Sequence, residues 1–95
     1  MNWRPWKLSR ITFAEVAWEE YLYWQMQDKK TLRKINALLK EIQRDPFHGE
    51  GKPEPLKGEL TGNWSRRIND KDRLVYEVEQ SMIIIKQCKG HYADK

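Results

Sequence analysis

Three side chains in the second half of the sequence could together perform acid–base chemistry on a phosphate: Glu54, Arg73 and His91. Cleavage of RNA by its own 2′-hydroxyl requires a base for that hydroxyl, an acid for the departing 5′-oxygen and positive charge at the phosphorane. A carboxylate can serve as the base, an imidazole as the acid and a guanidinium as a bidentate phosphate ligand. Such a reaction needs no metal ion. The three residue types therefore fit RNA cleavage, provided that the fold brings them to one rim of the protein.

Each of the three residues also has an ordinary structural explanation. Glu54 would be a solvated loop acid, and Arg73 would pair with Asp70 or Asp72, which precede it closely. His91 would be an exposed histidine near the terminus. An unperturbed carboxylate is moreover a weak base at neutral pH. From residue types and spacing alone, the catalytic and the structural interpretations both stay open.

Hydrophobic spacing predicts the elements that must position these side chains. Residues 31–44 carry an apolar stripe at helical spacing, which predicts an amphipathic helix. Residues 14–28 carry a less regular helical pattern, in which we expect Trp18, Tyr21 and Trp24 to lie in the core. Strands are predicted near residues 7–13, 63–68, 73–79 and 82–90. Residues 47–62, where Pro53 and Pro55 flank Glu54, are predicted to form a long irregular loop.

The predicted order β-α-α-β-β-β defines an α+β domain, with two N-terminal helices packed on one face of a small twisted antiparallel sheet. In the strand 73–79, Leu74, Tyr76 and Val78 alternate with Arg73. If these apolar residues face the helices, Arg73 points to the opposite, open face. The alternation in the last strand leaves the face of His91 ambiguous.

Length and composition limit the classes of protein to which the chain can belong. Its 95 residues predict one domain, residues 1–95. No segment has the length and apolarity of a membrane span or the pattern of a signal peptide, so we expect a cytoplasmic protein. Cys88 is the single cysteine and is predicted to be a buried strand residue. One cysteine and two histidines are too few ligands for a tetrahedral zinc site, and no cofactor is predicted. The net charge of +4 fits a polyanionic partner.

Several blocks of the sequence resemble one family of proteins. They are E-E-Y-L-Y-W at 19–24, G-K-P-E-P-L-K at 51–57, W-S-R-R-I at 64–68, R-L-V-Y at 73–76 and H-Y at 91–92. In this order they resemble the Txe/YoeB toxins of bacterial toxin–antitoxin modules, within the RelE superfamily. The resemblance extends from about Lys7 to Tyr92 and implies a RelE-like fold. Residues 1–6 and 93–95 extend beyond the family pattern.

The resemblance implies a ribosome-dependent endoribonuclease that cuts mRNA in the A site of the 70S ribosome. It implies that Glu54 is the general base, that Arg73 stabilises the phosphorane and that His91 is the general acid. The residues that it implies lie near the RNA are Lys52, Lys57, Arg66, Arg67 and Tyr92. Among them, Arg67 is the one expected to touch the scissile phosphate.

The resemblance also implies partners. A cognate antitoxin of the YefM/Axe type, in the Phd family, would fold its disordered C-terminal segment onto the toxin, and the complex would bind operator DNA through the antitoxin. A homodimer stays open, and no membrane partner is expected. Two other hypotheses are retained: a non-catalytic basic module that binds RNA or antitoxin as a corepressor, and a ribonuclease that acts without the ribosome.

Overall fold

The computed structural model of the protein describes residues 9–91. The predicted extensions 1–6 and 93–95, the first two residues of the predicted strand 7–13, and Tyr92 lie outside the described residues. The elements are β1 (Arg10–Phe13), α1 (Glu15–Gln27), α2 (Lys29–Arg44), β2 (Glu54–Pro55), a 3₁₀ turn (Gly58–Leu60), β3 (Asn63–Arg67), β4 (Arg73–Glu79) and β5 (Met82–Gln87).

These elements form one five-stranded sheet in the order β1-β5-β4-β3-β2. The α+β class and the layer of two helices on a sheet are confirmed. The sheet is mixed rather than purely antiparallel, because β1 pairs in parallel with β5 while the other three pairs are antiparallel. Parallel neighbours need a long connection, and here α1, α2 and the strands β2, β3 and β4 lie between β1 and β5 in the chain.

Helix α2 supplies the regular part of the core, as its spacing predicts. Its residues Ile35, Leu38, Leu39 and Ile42 are buried against the sheet. The helix begins at Asp28, whose carboxylate accepts hydrogen bonds from the backbone N–H and the hydroxyl of Thr31. It ends at Arg44, as expected from the proline at position 46, which disfavours helical backbone in the residue before it.

Helix α1 is covered on a narrower face than its sequence predicts. Ala17 and Trp24 are buried, and Tyr21 is half-buried beside the core. The expectation that Trp18 belongs to the core is wrong, because 47% of it is exposed; it stacks instead on Tyr21, with ring centroids 5.9 Å apart. Val16 is likewise exposed. Neither helix is long and apolar enough to span a membrane among the residues described.

A β-bulge in β5 changes which side chains face the helices. Ile83 and Ile85 lie in the core, but the register of β4 with β5 shifts between Val75 and Tyr76. Beyond the shift Gln87 pairs with Val75. Cys88 then reaches the core although simple alternation groups it with the opposite face. The prediction that Cys88 is buried is confirmed, and the regular strand ends at Gln87 rather than near residue 90.

Candidate functional site

One row of paired residues crosses the sheet on the side away from the helices. Glu54 of β2 pairs with Ser65 of β3. Ser65 pairs in turn with Val75 of β4, and Val75 pairs with Gln87 of β5. Directly opposed residues project to the same side of a sheet, and the neighbours of Val75 on both sides in β4 belong to the helix-facing core. Glu54 therefore lies on the open face, beside a buried row formed by Ser65, Val75 and Gln87.

The strand that carries Glu54 was not predicted. Residues 47–62 are not wholly irregular, because Glu54 and Pro55 pair with β3 and form the edge of the sheet. Before them, the carbonyl oxygen of Gly51 accepts a hydrogen bond of 2.6 Å from the backbone N–H of Arg67. After them, the N–H of Leu56 donates to the carbonyl of Asn63 over 2.9 Å. The Glu54 backbone is thus held on both sides while its side chain is exposed.

Two lysines flank this edge strand. Lys52 is exposed and has a φ of 50°, in the left-handed region that a residue with a β-carbon adopts only at a cost of roughly 1–2 kcal/mol. Lys57 is exposed and lines a small pocket of about 330 Å³ together with Glu54 and Leu60. Both lysines are thus exposed next to Glu54 in the chain.

A second row on the open face consists of Arg67 and Arg73, which pair across β3 and β4. Each lies two residues from a member of the first row, and side chains two apart on a strand project to the same face. In such a pair the Cβ atoms are about 4.5–5.5 Å apart, so two like charges face each other. An anion beside the two side chains would offset the repulsion between their like charges.

The guanidinium group of Arg73 is partly fixed by its own turn. Its Nη1 donates to the carbonyl oxygens of Asn69, Asp70 and Asp72 over 2.6, 3.3 and 3.1 Å. These are backbone contacts, so Arg73 does not form the carboxylate ion pair of the ordinary explanation. Among the described residues no group accepts a hydrogen bond from Nε or Nη2, which leaves the edge that binds a phosphate in bidentate fashion. The residue is 9% exposed, so an anion would approach from one direction only.

His91 lies where the chain leaves β5, close to the start of β4. The carbonyl of Gly90, the residue before it, accepts a hydrogen bond of 3.0 Å from the backbone N–H of Arg73. His91 is half-buried and lines a groove of about 820 Å³ between the junction of the two helices and the turn before β4. Tyr23 and Lys89, which are in cation–π contact at 4.8 Å, line the same groove.

The structure therefore brings some predicted residues together and separates others. Arg67 and Arg73 are paired, and the segment bearing His91 adjoins Arg73. Glu54 shares their face, but two strand spacings, about 10 Å, separate its backbone from that of β4. A ligand that contacts Glu54 and His91 together must bridge the arginine row between them.

Arg66 is a correction. We expected it near the RNA, but it is 0% exposed and lies on the helix side of β3. All five of its donor positions are used: Nε donates to the hydroxyl of Tyr76, Nη1 to Glu41 and to the Glu50 carbonyl, and Nη2 to the carbonyls of Asp45 and His48. Such a group has no donor left for a phosphate. Arg66 fixes the segment 45–50 that leads to the edge strand.

The sequence contained the signal that separates the two adjacent arginines. Arg66 lies two residues from Trp64 and from Ile68, which are apolar, so the three share one face of the strand. Arg67 shares the other face with Ser65 and Asn63. Period two therefore assigns Arg66 to the helix side and Arg67 to the open face. The sequence contains no comparable indication that the buried residues Val75 and Gln87 lie in the row beside Glu54, because the bulge that orients Gln87 is not visible in the alternation.

Comparison with solved structures first identifies the fold. The toxin–antitoxin complex RelBE2 from Mycobacterium tuberculosis contains a chain that aligns with a TM-score of 0.68 at 18% identity, over 88% of this chain and 99% of that chain. At this identity the likeness establishes the fold, which is that of the RelE-type toxins.

Closer relatives identify the family. Residues 13–92 match the YoeB-like toxins of bacterial type II toxin–antitoxin systems. The chain is 53% identical over 83 residues to Toxin YoeB of Synechocystis sp., covering 87% of this chain and 96% of that protein. It therefore belongs to the family of YoeB-like toxins.

Two solved structures of family members align closely. The YoeB/ParE toxin from Agrobacterium tumefaciens gives a TM-score of 0.85 at 42% identity, over 87% of this chain and 99% of that chain. The YoeB dimer from Staphylococcus aureus gives 0.82 at 53% identity, over 88% and 98% of the two chains. The S. aureus protein has also been solved as a YoeB–YefM complex.

Proposed function

We propose that this toxin is a metal-independent endoribonuclease that cleaves mRNA bound in the ribosomal A site. The observation that supports this proposal most directly is the position of Arg73. Its Nε–Nη2 edge has no acceptor among the described residues, it is paired with Arg67, and its backbone contacts the segment that carries His91. A phosphate at this edge would meet cations on two adjacent strands, next to the segment that carries the proposed acid.

In the proposed reaction the 2′-oxygen attacks the adjacent phosphorus and the bond to the 5′-oxygen breaks. Glu54 accepts the proton of the 2′-hydroxyl, and His91 donates a proton to the departing 5′-oxygen. Arg73 binds the equatorial oxygens, where negative charge develops in the transition state. The products are a 2′,3′-cyclic phosphate and a 5′-hydroxyl, so protons and electrons balance without a metal ion.

The remaining basic residues of the open face would bind the flanking phosphates. Arg67 adjoins Arg73, and an anion beside the two would relieve the repulsion between like charges. Lys52 and Lys57 are exposed on either side of Glu54. Tyr92 keeps its predicted role of stacking on or positioning the RNA. Arg66 is excluded from this set because its donors are used internally.

Dependence on the ribosome agrees with the geometry of the site. The base lies on β2 and the acid follows β5, so three strand spacings, about 14 Å, separate their backbones, and one scissile phosphate must be held between the two side chains. Holding reactants in one such geometry can lower a barrier by about 7–11 kcal/mol. We infer that the ribosome supplies this order, which a free strand lacks.

The proposed partners follow from the family. The S. aureus relative has been solved with YefM and as a dimer. We propose that a YefM-like antitoxin binds this chain, that the complex contacts operator DNA through the antitoxin, and that both act in the cytoplasm. Self-association of the free toxin is measurable by light scattering.

The decisive experiment is cleavage of a labelled mRNA on programmed bacterial ribosomes, run beside the same RNA free in solution. His91→Ala and Glu54→Gln should each slow single-turnover cleavage by roughly 10²–10⁴-fold. His48→Ala is the matched control, because His48 is exposed and pairs only with Asp45 at 3.1 Å. Equal cleavage by wild type and His91→Ala would refute the proposed acid. Comparable cutting of free RNA would favour a ribosome-independent ribonuclease, and absence of cutting would favour the non-catalytic module.

A further inference from the structure

The carboxylate of Asp72 contacts the residue that precedes His91. The backbone N–H of Gly90 donates to Asp72 Oδ1 over 2.7 Å. Asp72 is only 9% exposed, although it lies in a turn whose neighbours Asp70 and Lys71 are exposed. A buried carboxylate in a surface turn requires an internal partner, and here the partner is a single backbone amide.

Two further bonds hold the other side of Gly90. Its carbonyl oxygen accepts from the backbone N–H of Arg73 over 3.0 Å and from Nε2 of Gln87 over 2.9 Å. That carbonyl belongs to the peptide group that joins Gly90 to His91. The three bonds therefore fix the plane from which the His91 side chain departs.

Gly90 needs this support because of its backbone conformation. Its φ is 79°, in the left-handed region that glycine enters freely, and glycine has the widest conformational freedom of any residue. If the bond to Asp72 is removed, the Gly90–His91 peptide group keeps the two bonds to its carbonyl oxygen but loses the restraint on the N–H of Gly90, so rotation about this glycine becomes less restricted. Upstream, Cys88 is already clamped to α1, because its N–H donates to Glu20 and its carbonyl accepts from Trp24 Nε1, each over 2.8 Å. Gly90 thus lies two residues after a position that is fixed to α1.

Asp72 is itself rigidly placed. Its backbone N–H donates to Asn69 Oδ1 over 2.8 Å, and its carbonyl accepts from the backbone N–H of Ile68 over 3.0 Å. The same carbonyl accepts from Nη1 of Arg73 over 3.1 Å. One residue therefore contacts the guanidinium group proposed to bind the phosphate and the segment that carries the proposed acid.

We propose that Asp72 is a positioning residue for His91: its carboxylate, through the amide of Gly90, sets the distance between the imidazole and the phosphate held by Arg73. This inference rests on the proposed function. The proposed role requires an oxygen that accepts the hydrogen bond from Gly90, and it does not require a negative charge. An asparagine at position 72 should therefore preserve the role, and an alanine should abolish it.

The test compares Asp72→Ala, Asp72→Asn and the control Asp70→Ala; Asp70 lies in the same turn, and its side chain forms no hydrogen bond or ion pair with the described residues. In single-turnover cleavage on ribosomes, Asp72→Ala should lower kcat by roughly 10–100-fold, because a displacement of about 1 Å can cost that much. KM should change less than about twofold, since Asp72 does not touch the RNA. Asp72→Asn and Asp70→Ala should stay within about threefold of wild type, by the same reasoning.

Hydrogen exchange of the Gly90 amide tests the geometry without any activity. Its protection should be lost in Asp72→Ala and kept in the other two variants. Unchanged protection or unchanged kcat in Asp72→Ala would overturn the proposal, as would an equal loss in Asp72→Asn. Failure of the proposed function itself is recognised separately, because His91→Ala would then cut as fast as wild type.

Discussion

The buried guanidinium group of Arg66 gives the sharpest test of the structure. Replacing Arg66 by alanine removes five hydrogen bonds and leaves the carbonyls of Asp45, His48 and Glu50 without their donor. One of these five bonds is the 3.3 Å ion pair with Glu41. A hydrogen-bonding group left without its partner in the interior costs about 1–3 kcal/mol, so at the lower end of this range the three carbonyls that lose their donor should cost about 3–5 kcal/mol together. Domains of this size have a free energy of unfolding of about 5–15 kcal/mol, so the loss is a large fraction.

Urea unfolding at neutral pH, followed by tryptophan fluorescence, measures this loss. With an m-value of about 1.5 kcal/mol/M, the midpoint for Arg66→Ala should fall by roughly 2–3 M. Arg66→Lys keeps the charge but offers three donors in a different geometry, so it should fall between alanine and wild type. The matched control is Arg67→Ala: this neighbouring arginine is exposed, and its loss should cost less than about 0.5 kcal/mol.

Activity should follow the opposite order. Per folded molecule, Arg66→Ala should bind RNA as wild type does, while Arg67→Ala should bind more weakly and with a smaller dependence on salt. The reasoning would be refuted if Arg66→Ala unfolded within about 1 kcal/mol of wild type and yet lost RNA binding. Arg66 would then be an RNA ligand, as its place in the W-S-R-R-I block first suggested.

Three further predictions concern titration and accessibility. Burial raises the pKa of Tyr76, and the hydrogen bond from Arg66 opposes this rise. The neutral phenol therefore contributes its full stabilisation of the fold below pH about 10. This contribution is lost as the pH rises toward the folded pKa. In an ultraviolet titration one tyrosine should ionise late, and Tyr76→Phe should remove that late step. The hydrogen bonds from Thr31 lower the pKa of Asp28. The ionised carboxylate therefore stabilises the fold above pH about 3.8, and this stabilisation is lost as the pH falls through the folded pKa. Asp28→Ala should give a lower melting temperature at neutral pH and a smaller decrease of the melting temperature in acid. Cys88 is 0% exposed, so a thiol reagent should modify it only after unfolding, and rapid labelling of the native protein would contradict its placement in the core.

The elements that were predicted well from sequence are those whose own residues repeat a regular apolar pattern. Helix α2 repeats its apolar positions over four turns, and β4 alternates over its whole length, so both emerged with nearly their observed bounds. Helix α1 was found, but its exposed apolar residues were not. Apolar residues are distributed around the whole circumference of α1, so no side of the helix is marked as polar. Which of these residues are covered depends on how far α2 and the sheet extend over the helix.

The parts that sequence did not predict depend on pairing between distant segments. The strand Glu54–Pro55 has two residues and includes a proline, so it has no strand signal of its own and exists because β3 offers it an edge. The bulge that turns Gln87 to the open face is likewise set by the register with β4. The roles of the candidate site residues stay predictions, and their arrangement across the sheet, from Glu54 to the segment of His91, is visible only from the strand pairing.

The arrangement of this site explains why so much of its support is backbone rather than side chain. Glu54 lies on a two-residue edge strand, Arg73 begins a strand, and His91 follows the end of another, so each occupies a place where regular pairing stops. Such places open first when a protein fluctuates. The carbonyls of the turn before Arg73, the bonds to Gly90 and the contact from Arg67 to Gly51 each replace a missing ladder bond at one of these ends. Loss of one such bond should therefore reduce activity more than it reduces global stability, whereas loss of Arg66 should do the reverse.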